Sequence, residues 1–188
     1  MENKISNILM VGVGGQGIIL ASDILTLAAM YSGHDAKKSE IHGMSQRGGS
    51  VFSHIRYGEK IYSPIISEGE ADILFSLEEM ETLRWLSFAS SKTLIITTLN
   101  RINPAMVEEY PDGIHRELEN KCTNLKFLDP EELQKKIDNP KFLNVALLGL
   151  LSNQIDLPED AWNRAVAEKV PQGSFEGNWK AFLAGTKY

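Results

Sequence analysis

Short β-rich apolar runs alternate along the chain with longer stretches of helical spacing, a rhythm that predicts an α/β protein. Ile5 to Val13 is the first apolar run. It ends in Gly12-Val13-Gly14-Gly15-Gln16-Gly17 and passes into Ile18 to Met30, which has helical spacing and closes at Gly33. Ala36 to Ile41 supplies a second strand, so the chain opens as a βαβ unit with an expected right-handed crossover. Val51 to Tyr57 alternates Val51, Ser53, Ile55 and Tyr57 against Phe52, His54 and Arg56, as the two faces of a strand. Gly58-Glu59 followed by Lys60 to Ser63 predicts an antiparallel hairpin.

Ala71 to Leu77 and Lys92 to Thr98 are further strands, separated by a helix carrying Met80, Leu83, Trp85 and Leu86. Pro104, Pro111 and Gly113 break up Asn103 to Glu119, beyond which Leu125 to Leu128 is an edge strand and Pro130 to Ile137 a helix. The C-terminal third is helical. Phe142 to Leu151 is apolar all round and therefore buried, Pro158 to Val170 opens with proline and acids, and Ser174 caps a helix with Phe175, Trp179 and Phe182 on one face. The expected architecture is one domain over residues 1–188. Its fold is Rossmann-like and doubly wound, a mostly parallel sheet with an antiparallel hairpin and C-terminal helices.

Composition narrows the function. With 43% hydrophobic and 23% charged residues in 188, the chain buries a sizeable core without a second domain. A net charge of -6 argues against a general nucleic-acid binder. The charge is uneven, however: between His34 and Lys60, Lys37, Lys38, Arg47, Arg56 and Lys60 outweigh Asp35, Glu40 and Glu59, and three of the four histidines lie there. That window suits an anionic ligand or an acidic partner, or is a scatter of solvated charge. Cys122 is the sole cysteine, which rules out an internal disulfide and a four-cysteine iron-sulfur cluster within this chain. The longest apolar run, Val145 to Leu151, falls far short of the roughly 20 residues that cross a bilayer, and the start lacks a secretory pattern. A cytoplasmic protein without membrane or nucleic-acid partners is expected.

Two segments carry candidate chemistry. Gly12, Gly14 and Gly17 form a G-x-G-x-x-G turn between strand and helix, where backbone amides and the helix dipole create an anion site. The same glycines also serve if they only allow close packing of helix on strand. A dinucleotide enzyme would need an acid at the end of the second strand, and Glu40 is placed for that role. Ser39 to Ser50 then packs an acid, an imidazole, a guanidinium and three glycines between two apolar segments, the makeup of a docking loop. A histidine titrates near neutrality in general and an arginine can clamp a carboxylate or phosphate, so His42 and Arg47 are the catalytic candidates, although His42 could instead brace the loop and Arg47 form an internal ion pair. His54 and Arg56 extend this surface or form the solvated side of a hairpin. No G-x-S-x-G elbow, Walker lysine or H-E-x-x-H motif is present.

Gly12-Val13-Gly14-Gly15-Gln16-Gly17 together with Ser39-Glu40-Ile41-His42-Gly43-Met44-Ser45-Gln46-Arg47-Gly48-Gly49-Ser50-Val51 resembles the gamma-type module of the 2-oxoacid:ferredoxin oxidoreductases. The likeness continues through Tyr62-Ser63-Pro64-Ile65-Ile66 and Glu68 to Leu74, and His-Gly-Met-Ser-Gln favours the indolepyruvate branch. The resemblance implies an accessory oxidoreductase subunit of anaerobic metabolism, inactive alone. Its partner would be a large alpha subunit carrying thiamine diphosphate and iron-sulfur clusters, in a heterodimer or heterotetramer that passes electrons to ferredoxin. By itself this chain would hold no cofactor. Coenzyme A would contact Gly12, Gly14, Gly15, Gln16, Gly17, Glu40, Arg47, Gly48 and Gly49, and His42, Gly43, Met44, Ser45 and Gln46 would form the subunit interface. The alternatives are a gamma subunit for pyruvate, 2-oxoisovalerate or 2-oxoglutarate, an autonomous NAD(P)-binding protein, and a regulatory module without a large metalloprotein partner.

Overall fold

The computed structural model describes residues 5–42, 49–103 and 109–188. Six strands form one sheet in the order β2-β3-β1-β4-β5-β6, made of β1 (Ser6–Val13), β2 (Asp35–His42), β3 (Ser50–Gly58), β4 (Ile73–Ser76), β5 (Leu94–Thr98) and β6 (Leu125–Leu128). β1, β4, β5 and β6 are parallel, whereas β3 runs antiparallel to both β1 and β2.

The antiparallel excursion therefore differs from the one expected. β3 does not form a hairpin with Lys60 to Ser63, because both of its edges are already occupied, by β1 on one side and β2 on the other. Beyond Gly58 the chain runs irregularly until β4, inserting Ile61 and Ile66 as buried anchors. The opening βαβ unit likewise does not pair its own strands, since β3 lies between them.

Helix α1 (Ile18–Tyr31) lies over β2 and β3 and against α5 (Leu143–Ser152) and α6 (Glu159–Lys169). This face holds the larger core, in which Ile8, Met10, Ile24, Leu148, Trp162 and Phe182 are essentially inaccessible. On the opposite face Leu9, Val11, Leu74 and Ile95 pack under Ile66, Trp85 and Phe88, beside α2 (Glu79–Arg84) and α3 (Ile114–Lys121). α5 is buried from Asn144 through Leu151, as its unbroken apolar character predicts. Its neighbour is α7 (Phe175–Gly185), and α4 (Pro130–Gln134) follows β6. Ser174 stands at the start of α7, yet its hydroxyl donates back to the Pro171 carbonyl (2.8 Å) instead of capping the helix.

Candidate functional site

The glycine turn sits at the carboxyl end of β1, where the strand order reverses between β1 and β4, the place at which open α/β sheets form ligand crevices. Gly17 is left-handed (φ 82°) and starts α1, whose first turn has no side-chain cap. Its first backbone bond runs from the Ala21 amide to the Gly17 carbonyl (3.0 Å), so the first-turn amides of Ile18, Ile19 and Leu20 are available to an anion, whereas the Gln16 amide is bonded to the Val13 carbonyl (3.1 Å). A side chain at Gly17 would also meet the Asn144 carboxamide at 2.5 Å. Gly12 is needed for packing, since a Cβ there would lie 2.9 Å from Ile18 Cγ1. Gly15 (φ 100°) has open space above it, as a ligand approach requires.

Gln16 turns inward. Its Oε1 accepts from the Val13 amide and its Nε2 donates to the Leu77 carbonyl, each at 2.7 Å, so one carboxamide ties the end of β1 to the end of β4. From α5, buried Asn144 donates to the Gly17 carbonyl (3.1 Å) and secures the other side of the turn. A cleft of about 500 Å³ opens above, bounded by Gly15, Gly17, Leu77, Asn100, Lys141 and Asn144. Lys141 is the cation among these lining residues and complements the helix N-terminus as a seat for negative charge.

The second motif ends beside the first. Register places Val51 opposite Gly12 and Ser50 opposite Val13, and the Gly14 amide donates to the Gly49 carbonyl (2.9 Å). His42 closes β2 opposite Val51. Gly43, Met44, Ser45, Gln46, Arg47 and Gly48 lie outside the described residues, but both ends of their segment are fixed at the glycine-turn end of the sheet. Glu40 is not brought there: it stands on edge strand β2, level with Met10 but two strands and thus about 10 Å away. Its carboxylate bonds Lys38, which also reaches Asp23 on α1. A ribose-binding acid belongs on the strand next to β1, and β3 occupies that position.

His54 and Arg56 extend no ligand surface. His54 is buried, with Nδ1 accepting from the Ile66 amide (3.2 Å) and its ring edge-on to Phe52 and Phe88. Arg56 Nε donates to Asn7 Oδ1 (2.8 Å) and its Nη1 to the Ser63 carbonyl (2.9 Å). Both brace the irregular segment after β3. Burial pushes the His54 pKa below its ordinary value of 6.5. The unfolded chain therefore takes up a proton near pH 6.5 that the folded chain accepts only at lower pH, so His54 makes stability fall as pH drops from 6.5 through its folded pKa. In urea titrations across pH 7 to 5, His54→Asn, which keeps an acceptor for Ile66, is expected to lose less stability than the parent. An identical decline would exclude this role.

Three acids escaped the sequence reading. Glu78, Glu79 and Glu81 resemble an ordinary helix surface, yet all are buried at the end of β4. Glu78 caps α2 through the Glu81 amide (2.7 Å) and accepts from the Tyr110 hydroxyl (2.5 Å). Burial raises the Glu78 pKa, and burial together with the bond to Glu78 raises that of Tyr110. Glu79 pairs with Arg101 (2.7 Å) and His115 (3.1 Å). Glu81 accepts from the Ser50 hydroxyl (2.5 Å), the Trp85 indole (3.3 Å) and Arg84 (2.9 Å). The available signal was position: acids directly after an apolar strand, with arginines at 84 and 101 to neutralise them. Pro111-Asp112-Gly113 is a turn whose Gly113 (φ 81°) starts α3. Among the described residues there is no group of three or more His, Cys, Asp or Glu side chains able to hold a metal, and no helix is long and apolar enough to cross a membrane.

The family model "Pyruvate ferredoxin/flavodoxin oxidoreductase" matches residues 7–188. The chain is 35% identical to "Indolepyruvate oxidoreductase subunit IorB" of Thermococcus kodakarensis, over 96% of this chain and 94% of that relative. Identity to "2-oxoglutarate synthase subunit KorC" of Methanocaldococcus jannaschii is 25%, over 93% and 88%. In structure it is similar to a keto/oxoacid ferredoxin oxidoreductase gamma subunit from Geobacter sulfurreducens, with a TM-score of 0.74 and 22% identity over 98% of this chain and 95% of that one.

Proposed function

Because the chain belongs to the pyruvate ferredoxin/flavodoxin oxidoreductase family, we propose that it is the accessory subunit of an arylpyruvate, specifically indolepyruvate, ferredoxin oxidoreductase. The higher identity to indolepyruvate oxidoreductase subunits than to 2-oxoglutarate synthase subunits supports that branch. A large partner subunit carries the thiamine diphosphate and iron-sulfur clusters, for which this chain, with Cys122 alone, has no thiolate set. The partner decarboxylates the 2-oxoacid and sends two electrons to ferredoxin, and coenzyme A takes the acyl group.

This chain's contribution is to bind and to enclose. The observation that carries the reading is the Gly14 amide bond to the Gly49 carbonyl (2.9 Å), which joins the end of the docking loop to the glycine turn, whose Gly15 and Gly17 line the cleft. The amides at the start of α1 and the Lys141 ammonium suit the phosphates of coenzyme A, and Arg47 adds a bidentate anion contact. His42 to Gly49 docks on the partner and excludes water from the shared cleft.

Steady-state assays of the reconstituted complex test this reading. Indolepyruvate is expected to be preferred over 2-oxoglutarate and pyruvate, and Arg47→Ala to raise the KM for coenzyme A by about tenfold, the worth of one charged hydrogen bond. Unchanged coenzyme A saturation together with unchanged subunit association would remove Arg47 from the site.

A further inference from the structure

Strand β2 forms one edge of the sheet, and it pairs with β3 without a bulge over all of Asp35–His42 and contains no proline. The opposite edge, β6, spans only Leu125–Leu128. A long, regular edge invites pairing with another strand unless something blunts it, often lysine charge. Here the lysines are neutralised within the chain, Lys37 by Asp35 (3.1 Å) and Lys38 by Asp23 and Glu40. Exposed apolar side chains flank the same edge. On the α1 face, Ile19 and Met30 share one stripe of the helix with Asp23, the residue that reaches Lys38. On the other face, Ile41 belongs to β2 itself, and Tyr62 adjoins Ile61, whose amide donates to Asp35 (2.8 Å). The Ile65 carbonyl accepts from Arg56 (3.3 Å), which stands opposite Lys37. Among the described residues, Leu183 is the one large exposed apolar side chain away from this edge.

The backbone phase of β2 follows from its neighbours. The Gly14 amide bonds the Gly49 carbonyl in the register that sets Gly12 opposite Val51, so odd-numbered residues of β3 turn their N–H and C=O toward β1 and even-numbered ones toward β2. His54 faces Ser39 and Phe52 faces Ile41, so the odd-numbered residues of β2 bond β3, while Ala36, Lys38, Glu40 and His42 aim their backbone groups away from the sheet. We propose that this edge is an interface between two copies of this chain, joined antiparallel about a two-fold axis at Ser39 into one continuous sheet. A two-fold pairing of the outward-facing groups must be centred on a residue, and two such registers keep all but one residue of β2 paired. Centring on Lys38 sets ammonium against ammonium. Centring on Ser39 sets each Lys38 opposite Glu40 of the other copy, a pairing of opposite charges made twice. The axis is perpendicular to the sheet, so both α1 helices fall on the same side and the stripes carrying Ile19 and Met30 turn toward each other. This contact needs only the chain itself and does not depend on the functional reading; in a heterotetramer it joins the two copies of this subunit.

Sedimentation of the full-length chain, alone and with the large subunit, tests the contact. The wild type is expected to sediment as a concentration-dependent dimer. Glu40→Lys sets Lys38 against a lysine at both pairs, and Lys38→Glu sets carboxylate against carboxylate; each variant alone is expected to dimerise about thirtyfold more weakly. Mixed together, the two variants restore opposite charges at both pairs, and a heterodimer of wild-type affinity is expected, a recovery that misfolded chains could not give. Ser39→Cys reads the register independently. Residues facing each other across a non-hydrogen-bonded antiparallel pair lie about 4.5 Å apart at Cα, within disulfide reach, so mild oxidation is expected to link two copies through position 39. Lys37→Cys, which would face Ile41, is expected to link no more than the parent with its single Cys122. A wild type that is monomeric at every concentration and present once per complex would overturn the proposal, as would a dimer indifferent to both charge substitutions. A monomer whose assembly with the large subunit is weakened by Glu40→Lys would also overturn it, because the edge would then belong to that subunit. Indolepyruvate oxidation by the reconstituted complex is scored separately: its absence removes the functional reading and leaves the dimer standing.

Discussion

Replacing Gly185 with alanine is expected to destabilise the protein by more than about 3 kcal/mol, although glycine to alanine within a helix ordinarily stabilises by roughly 1 kcal/mol. The sign reverses because of how α5 and α7 meet. A Cβ on Gly185 would lie 1.8 Å from the Ala146 carbonyl oxygen, and one on Gly149 would lie 2.0 Å from the Phe182 carbonyl oxygen. Both obstacles are backbone, so no rotamer change relieves them. The helices would have to separate, opening space around Phe182, which packs on Trp162 with ring centroids 5.4 Å apart, and stretching the bond from Asn153 to the Thr186 carbonyl. Since α5 also supplies Asn144 to the glycine turn, the damage extends to the site. Urea unfolding of Gly185→Ala measures this. A variant as stable as the parent would mean that the two backbones do not approach as described.

Gln16→Ala has the second large effect, first on the site and then on the fold. It deletes two 2.7 Å bonds, taking the side-chain partner from the Val13 amide beneath the turn and leaving the Leu77 carbonyl with the Thr98 hydroxyl (2.9 Å). At about 1 to 2 kcal/mol for the Val13 amide and about 1 kcal/mol for the bond lost at Leu77, the loss is about 2 to 3 kcal/mol. The turn is then no longer held against β4, and the KM for coenzyme A is expected to rise more than tenfold. Gln16→Glu is the more discriminating variant. It retains an acceptor for Val13 but sets a second acceptor against the Leu77 carbonyl, so a carboxylate of nearly the same shape should fail almost as badly. If Gln16→Glu left both stability and coenzyme A saturation unchanged, the bridging role would be wrong.

Much of this architecture was legible because local signals and global fold agree. The glycine turn followed a β-rich run and preceded a helical one, and α5 announced its burial by being apolar on every side. What was not legible depends on pairing across distance. Ser50 to Gly58 could add to any free edge, and nothing within it says that both of its edges will be filled by β1 and β2. The predicted hairpin at Gly58-Glu59 failed for that reason, and Glu40 lost its place beside the turn for the same one. Glu78, Glu79 and Glu81 were hidden differently. Their burial is made tolerable by Tyr110, Arg101, His115 and Ser50, all remote in sequence. In the candidate site, the G-x-G-x-x-G spacing marked the strand-to-helix turn but could not distinguish Gly12, which packs, from Gly15, which opens upward, or show that Gln16 faces inward.

In the function proposed for it, this chain works only as half of a thiamine- and iron-sulfur-dependent pair. The most direct measurement is anaerobic affinity purification of the chain from its native cell, with the co-purifying polypeptides identified by mass spectrometry and assayed for iron and thiamine diphosphate. Recovery of one large subunit containing both, in constant ratio to this chain and oxidising indolepyruvate in the presence of coenzyme A and ferredoxin, is the predicted result. Recovery of the chain alone, metal-free and as a homo-oligomer, would contradict the account.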